Sequence, residues 1–144
     1  MQRTLILLKP DALERGLAGA ILARFEAAGL RLENGRMVRP SLAQLEAHYA
    51  DLKLREESAF RRTTQFLQGK PFLALVLSGP NALRKARALI GPTDPVAAPA
   101  GTIRGDFGTD TIALADAQNR ATFNLVHASD SEASVEREIA IWFH

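Results

Sequence analysis

Six apolar residues in an unbroken row, Phe72-Leu73-Ala74-Leu75-Val76-Leu77, constrain this chain more than any other stretch. They lie between Gly69-Lys70-Pro71 and Ser78-Gly79-Pro80-Asn81, and an apolar run of that length between turn residues reads as a core strand. Such a strand needs partners, and three segments offer themselves. Thr4 to Leu8 is a short apolar run stopped by Lys9-Pro10-Asp11, Leu30 to Val38 sets Leu30 and Leu32 among charges and ends before Pro40, and Thr122 to His127 completes the set.

Helical patterns separate these strands. Gly19 to Ala28 places Ile21, Leu22, Phe25 and Ala28 on one face with Arg24 and Glu26 outward, and Gly29 closes it. Ser41-Leu42-Ala43-Gln44 has the form of a capping box, with Leu42, Leu45 and Tyr49 continuing one face. Further helices are expected over Glu57 to Leu67, from Asn81 to Ile90, and over Ser131 to Phe143, where Ser129-Asp130-Ser131-Glu132 suggests a second capping box. Gly91 to Gly101, rich in Pro, Ala and Gly, reads as a long loop within the domain. The order β, α, β, two helices, β, α, loop, β, α predicts an α+β, ferredoxin-like (split βαβ) plan. Its four-stranded antiparallel sheet is expected to carry covering helices on one face. A chain of 144 residues, 47% hydrophobic, fits a single domain over residues 1–144.

Composition narrows the chemistry. Without cysteine there is no disulfide, thiolate metal site or cysteine nucleophile. The apolar run at the N-terminus breaks at Lys9-Pro10, too early for a signal-peptide core or a membrane span, and a cytoplasmic setting is expected. The pI near 9.4 suggests nucleic acid, but the net charge is only +2 and no Lys/Arg-rich block occurs. Nor is there a G-x-x-x-x-G-K-[ST] loop, so any nucleotide is held without a P-loop.

One octapeptide concentrates reactive groups: Asn124-Leu125-Val126-His127-Ala128-Ser129-Asp130-Ser131. It puts His127 where a strand hands over to a helix N-terminus, a junction that aims N–H groups and a positive dipole end at an anion such as phosphate. A histidine there can act as nucleophile on a phosphoryl group, because neutral imidazole attacks without prior deprotonation. Lys9 stands at the C-terminal edge of the first strand, the usual ligand side of a helix-covered sheet.

Several blocks in order, Lys9-Pro10-Asp11, Arg24-Phe25-Glu26, His48-Tyr49, Gly91-Pro92-Thr93-Asp94-Pro95, Gly101-Thr102-Ile103-Arg104-Gly105-Asp106-Phe107 and the octapeptide, resemble the signature blocks of nucleoside diphosphate kinases over essentially the whole chain. The resemblance implies transfer of the γ-phosphoryl group of a nucleoside triphosphate, usually ATP, to a nucleoside diphosphate in a ping-pong cycle through a phosphohistidine on His127. It implies Mg²⁺ carried by the nucleotide's phosphates. By match to the family motifs, Glu138 orients the histidine and Tyr49 sits beside it. Lys9, Arg55, Arg87 and Arg104 clamp phosphates, Thr93 adds a hydroxyl, and Asn124 with Lys9 holds the ribose 3′-hydroxyl. On the residues alone, Glu132 and Glu136 are as eligible as Glu138. Family members are homo-oligomers built from dimers; hexamer, tetramer and dimer all stay open here. Two other readings are a catalytically weak nucleotide-binding regulator and a nucleic-acid-binding protein of the same fold.

Three departures from the family pattern stand out. Ala128 replaces a commoner glycine, which matters only if the backbone there needs positive φ. The segment after Arg55 is longer and reads Glu56-Glu57-Ser58-Ala59-Phe60 where the family has an aromatic pair, leaving Phe60 as the candidate to stack on the base. Stacking reads a π-face and not base edges, so broad base specificity is expected. Gly108 to Phe123 is also longer and could form a surface hairpin or an oligomer contact. Arg61, Arg62 and Arg84 read as solvated helix faces.

Overall fold

The central strands take their places from the apolar runs. In the computed structural model, which describes Met1 to His144, β1 (Gln2–Leu8) pairs along its length with β3 (Phe72–Gly79) and at its end with β4 (Val126–Ala128), while β2 (Arg31–Val38) pairs with the outer side of β3. The order is β2-β3-β1-β4 with every neighbouring pair antiparallel, as the split βαβ reading predicts. The helices are α1 (Pro10–Glu14), α2 (Ala18–Ala27), α3 (Leu42–His48), α4 (Ala50–Arg55), α5 (Glu57–Leu67), α6 (Ala82–Ile90), α7 (Ile103–Phe107), α8 (Ile112–Ala117) and α9 (Glu132–Trp142). No helix is long and apolar enough to cross a membrane.

The helices cover both faces of the sheet, which corrects the expectation of one covered face. Ile6, Leu8, Leu75 and Leu77 pack against Ile21 and Phe25 of α2 and Ala82, Ala86 and Ile90 of α6. Leu5, Leu7, Phe72 and Ala74 pack on the opposite side against Leu45 of α3, Leu67 of α5 and Trp142 of α9. Successive side chains of a strand point to opposite faces, so an unbroken apolar run leaves greasy surface on both, and each must be buried. β2, at the sheet edge, keeps Leu32 and Met37 exposed.

Three local differences from the sequence reading matter for the site. The last strand begins at Val126 and not at Thr122, because buried Leu125 sits at φ +72, a left-handed conformation that interrupts the ladder. Residues 108–123 form no hairpin. Thr111 caps α8 by accepting from the Leu114 N–H, and the segment is pinned by Asp110, whose carboxylate takes Arg120 at 2.7 and 3.0 Å and the Phe123 N–H at 2.8 Å. The 91–101 loop contains a 3-10 turn, Pro95–Ala97, capped by Asp94, and α7 follows it. Gly105 of α7 has no room for a side chain, since a Cβ there would lie 2.0 Å from the Pro99 carbonyl oxygen.

Candidate active site

The site is assembled from chain ends of the sheet and the two helices that flank them. His127 lies in the middle of β4, opposite Leu7 of β1, so its ring points to the face covered by α3 and α9 while Val126 and Ala128 point into the other core. Ala128 is extended and buried, which explains why the methyl group is tolerated there.

From α9, Glu138 presents Oε1 at 2.9 Å from His127 Nε2. The same oxygen accepts the Ser129 hydroxyl at 2.6 Å, while Arg137 lies 3.7 Å from Oε2. Burial pushes the Glu138 carboxyl up, but the His127 and Ser129 hydrogen bonds and the charge partners prevail and hold it below the usual range. Ser129 is therefore no helix cap; Ser131 caps α9 by accepting from the Ser134 N–H. Ionised Glu138 can only accept, so the proton of the His127 ring sits on Nε2 and the Nδ1 lone pair is left toward the cleft.

His48 walls His127 on its other side. Its ring centroid is 4.5 Å from that of His127, edge on, and the indole N–H of Trp142 donates to His48 Nδ1 at 3.1 Å. Burial, next to His127, lowers His48 well below its ordinary value, which keeps the ring neutral. Tyr49 packs edge-on against His48 and lines the cleft; burial, with Glu138 nearby, pushes its phenol up.

Lys9 and Asn124 meet on the opposite side. Lys9 Nζ donates to Asn124 Oδ1 at 2.9 Å and to the Thr122 carbonyl at 3.2 Å. Asn124 Nδ2 donates to the Thr93 carbonyl at 3.1 Å. Burial lowers the Lys9 ammonium to about 8, with Asp11 opposing and Arg104 adding to the fall. Asp11 accepts the Leu125 N–H at 3.0 Å and the Lys9 N–H donates to the Leu125 carbonyl at 2.9 Å, so the strained Leu125 is held on both sides. Arg104 gathers three carbonyls, those of Gly91, Asn124 and Val126, and burial with Arg87 nearby brings it down to about 10. Arg87 donates to the Ala128 carbonyl at 3.2 Å.

All of these side chains but Ser129, Ser131, Trp142, Asp11 and Leu125, together with Arg55 and Thr93, face a cleft of about 230 Å³ whose polar lining is dominated by cations. Such a lining suits an anion, and one imidazole nitrogen at its wall has no hydrogen-bond partner. Every residue the sequence singled out lines it except Phe60. A second compartment of about 320 Å³ continues from it past Lys9, Tyr49, Leu52, Arg55, Thr93 and Asn124, and Ala59 and Ile112 supply its further apolar lining. Phe60 lines neither compartment, correcting the stacking role expected of it: it is 6% exposed, buried on the inner side of α5 beneath Lys53. Arg62 is likewise no solvated residue, its side chain being 15% exposed and turned to the second compartment, whereas Arg61 is exposed and paired with Glu57 as expected. A larger, mainly apolar cavity of about 580 Å³ lies beyond Lys9, between Leu13, Phe66 and Phe123, and no histidine lines it.

The model of the family described as nucleoside diphosphate kinase matches residues 2–144. The chain belongs to the nucleoside diphosphate kinase family. Among relatives, the nucleoside diphosphate kinase of Desulfitobacterium hafniense (strain DSM 10664 / DCB-2) is 43% identical over 143 residues, covering 99% of this chain and 88% of that one. A Borrelia burgdorferi nucleoside-diphosphate kinase, solved as a transition state mimic with vanadate and ADP, superposes with a TM-score of 0.94 at 34% identity, covering 99% of this chain and 87% of that one. A halophilic nucleoside diphosphate kinase from Halobacterium salinarum, solved with CDP, gives 0.84 at 37% identity over 99% and 87% of the two chains.

Within this family fold, the sequence does not single out His48, Ser129 and Arg137 as surroundings of the His127–Glu138 pair. His48 was visible only as part of the His48-Tyr49 block. Ser129 reads in the sequence as part of a helix cap, and Arg137 carries no periodic or motif signal apart from its place beside Glu138.

Proposed function

We propose that this cleft transfers the γ-phosphoryl group of a nucleoside triphosphate, usually ATP, to a nucleoside diphosphate, with His127 carrying the group between them. The observation that carries this is the His127–Glu138 pair: one ring nitrogen is held by a buried carboxylate while the other is free beside a cluster of cations. Vanadate and ADP in the Borrelia burgdorferi relative support it.

In the first half-reaction the Nδ1 lone pair attacks the γ-phosphorus, an N–P bond forms, and the bond to the bridging oxygen breaks so that the diphosphate leaves. In the second, a terminal oxygen of another diphosphate attacks that phosphorus and the N–P bond breaks. Glu138, charged and held by Ser129, stabilises the Nε2–H as positive charge grows on the ring. Arg55, Arg87 and Arg104 neutralise the spreading phosphoryl charge, Thr93 adds a hydroxyl, and Tyr49 closes the wall beside His48. Lys9 and Asn124, already bonded to each other, bind the ribose 3′-hydroxyl. Mg²⁺ suits this donor set only as a passenger on the phosphates. The cleft carboxylates apart from Glu138 are Asp51 and Asp130, both exposed, and no carboxylate cage exists for an ion of its own. Bound there, Mg²⁺ would neutralise phosphate oxygens.

The compartment beyond Arg55 receives the base, and relatives solved with ADP and with CDP support a broad range of bases. The family match over residues 2–144 supports a single domain, and the exposed edge of β2, with Leu32 and Met37 uncovered, supports a homo-oligomer built from dimers. The cytoplasm, where nucleoside triphosphates are at hand, is the setting that goes with this chemistry. Neither a nucleic-acid role nor a purely regulatory one is favoured, since the cations converge on a cleft and the nucleophile's surroundings are complete.

Incubation with γ-labelled ATP and Mg²⁺ tests the reading. The protein should take an acid-labile, base-stable label that nucleoside diphosphates discharge, and His127→Ala should take none. Wild-type protein that stays unlabelled would overturn it.

A further inference from the structure

Three rings close on His48 edge-on, with centroids at 4.5 Å for His127, 4.8 Å for Tyr49 and 5.5 Å for Trp142. So confined, the imidazole has no room to turn over, and what stays open is which nitrogen carries its proton. Burial holds His48 well below its ordinary value, so near neutral pH there is one proton to place. The charged and titratable groups around it are His127, Glu138, Arg137, Lys9 and Tyr49.

Left to electrostatics, that proton would sit on Nδ1. This nitrogen lies 3.9 Å from Glu138 Oε2, so an N–H there would point at an ionised carboxylate. Trp142 forbids it. Its indole N–H donates to His48 Nδ1 at 3.1 Å, and an indole nitrogen can only donate, so Nδ1 must present its lone pair and the proton goes to Nε2. Trp142 is fully buried, its ring 5.0 Å from that of Phe72, and the donor can neither swing away nor pass to water.

The consequence falls on Glu138. Its Oε1 already takes the His127 Nε2–H at 2.9 Å and the Ser129 hydroxyl at 2.6 Å. A proton on His48 Nδ1 would draw the other oxygen, and with it part of the negative charge that steadies the His127 ring as the N–P bond forms. We propose that Trp142 is a positioning residue: by donating to His48 it bars that ring from Glu138 and reserves the carboxylate for His127. Its part in phosphoryl transfer rests on the function proposed above; the choice of tautomer does not.

The chain has one tryptophan and three histidines, so both ends of this contact can be read out singly. Trp142 can be replaced biosynthetically by its benzothiophene analogue, the same bicycle with sulfur in place of the N–H, and Trp142→Phe removes the same donor should the analogue fail to incorporate. Nitrogen-15 NMR should find wild-type His48 with a bare Nδ1 and a protonated Nε2, and the substituted protein with the proton moved to Nδ1. Labelling of His127 by γ-labelled ATP should slow roughly tenfold on substitution, the weight of a hydrogen bond to a charged group. Adding His48→Leu to the substituted protein should recover most of that loss, since no ring N–H then competes for Glu138, whereas a loss of packing would stay. Wild-type His48 protonated on Nδ1, a substituted protein that keeps the proton on Nε2 or labels at the wild-type rate, or a loss that His48→Leu does not recover, would overturn the proposal. Wild type with the stated tautomer that takes no label sinks the kinase reading and keeps the reservation of Glu138; labelled protein with His48 in the other tautomer does the reverse.

Discussion

Replacing Lys9 by methionine should cripple phosphoryl transfer and yet stabilise the fold. Lys9 is 6% exposed, and burial, helped by Arg104 and opposed by Asp11, takes its ammonium from an ordinary 10.5 to about 8. At about 1.4 kcal/mol for each factor of ten in proton affinity, keeping Lys9 charged near neutral pH costs the folded state about 3 kcal/mol. Methionine fills similar space without charge but gives up the bonds to Asn124 and Thr122, at about 1 kcal/mol each. The expected net gain is about 1 kcal/mol, a rise in Tm of roughly 3 °C for a chain of this length. Its pH dependence is the sharper mark. The cost of the charge is fully present below pH 8, where Lys9 is protonated folded and unfolded. It shrinks as the folded protein sheds that proton first, and is gone once the unfolded chain sheds it above 10.5. Thermal melts of both proteins at intervals from pH 6.5 to 11 therefore show a methionine advantage that shrinks with rising pH, passes through zero and becomes a deficit of about 2 kcal/mol, the worth of the two lost bonds. A lower Tm for Lys9→Met at pH 7, or an advantage indifferent to pH, would show that burial does not penalise the Lys9 charge.

Ser129→Ala removes the 2.6 Å donor to Glu138, so the Glu138 carboxyl, now held low, moves up; labelling of His127 should slow about tenfold and its acid limb shift to higher pH. An unchanged pH profile would show that Ser129 only fills space. Asp110→Asn leaves Arg120 and the Phe123 N–H short of acceptors in a pair whose side chains are 3% and 10% exposed, and should lose about 2 to 3 kcal/mol in denaturant unfolding. Glu57→Gln, breaking the exposed Glu57–Arg61 pair, is the contrast and should change stability by less than about 0.5 kcal/mol.

The covering of both sheet faces shows how far local pattern reaches. The run Phe72 to Leu77 announced a buried strand, and its partners followed from their own patterns, because burial and turn chemistry are written into neighbouring residues. The short helices α1, α4, α7 and α8 leave no mark in the sequence, since none is long enough to show a helical period.

The strands, the longer helices and, through the blocks in order, the set of polar residues that converge on the cleft are legible in the residues alone. What each of them touches comes from the folded chain: Glu138 and not Glu132 or Glu136 on His127, Ser129 turned inward, Phe60 in the packing beneath α5, and Arg62 beside the second compartment. The physical reason is range. Strand and helix patterns arise between residues a few positions apart, whereas His48 meets Trp142 across 94 positions and Lys9 meets Asn124 across 115, contacts that exist only once the sheet has set its order.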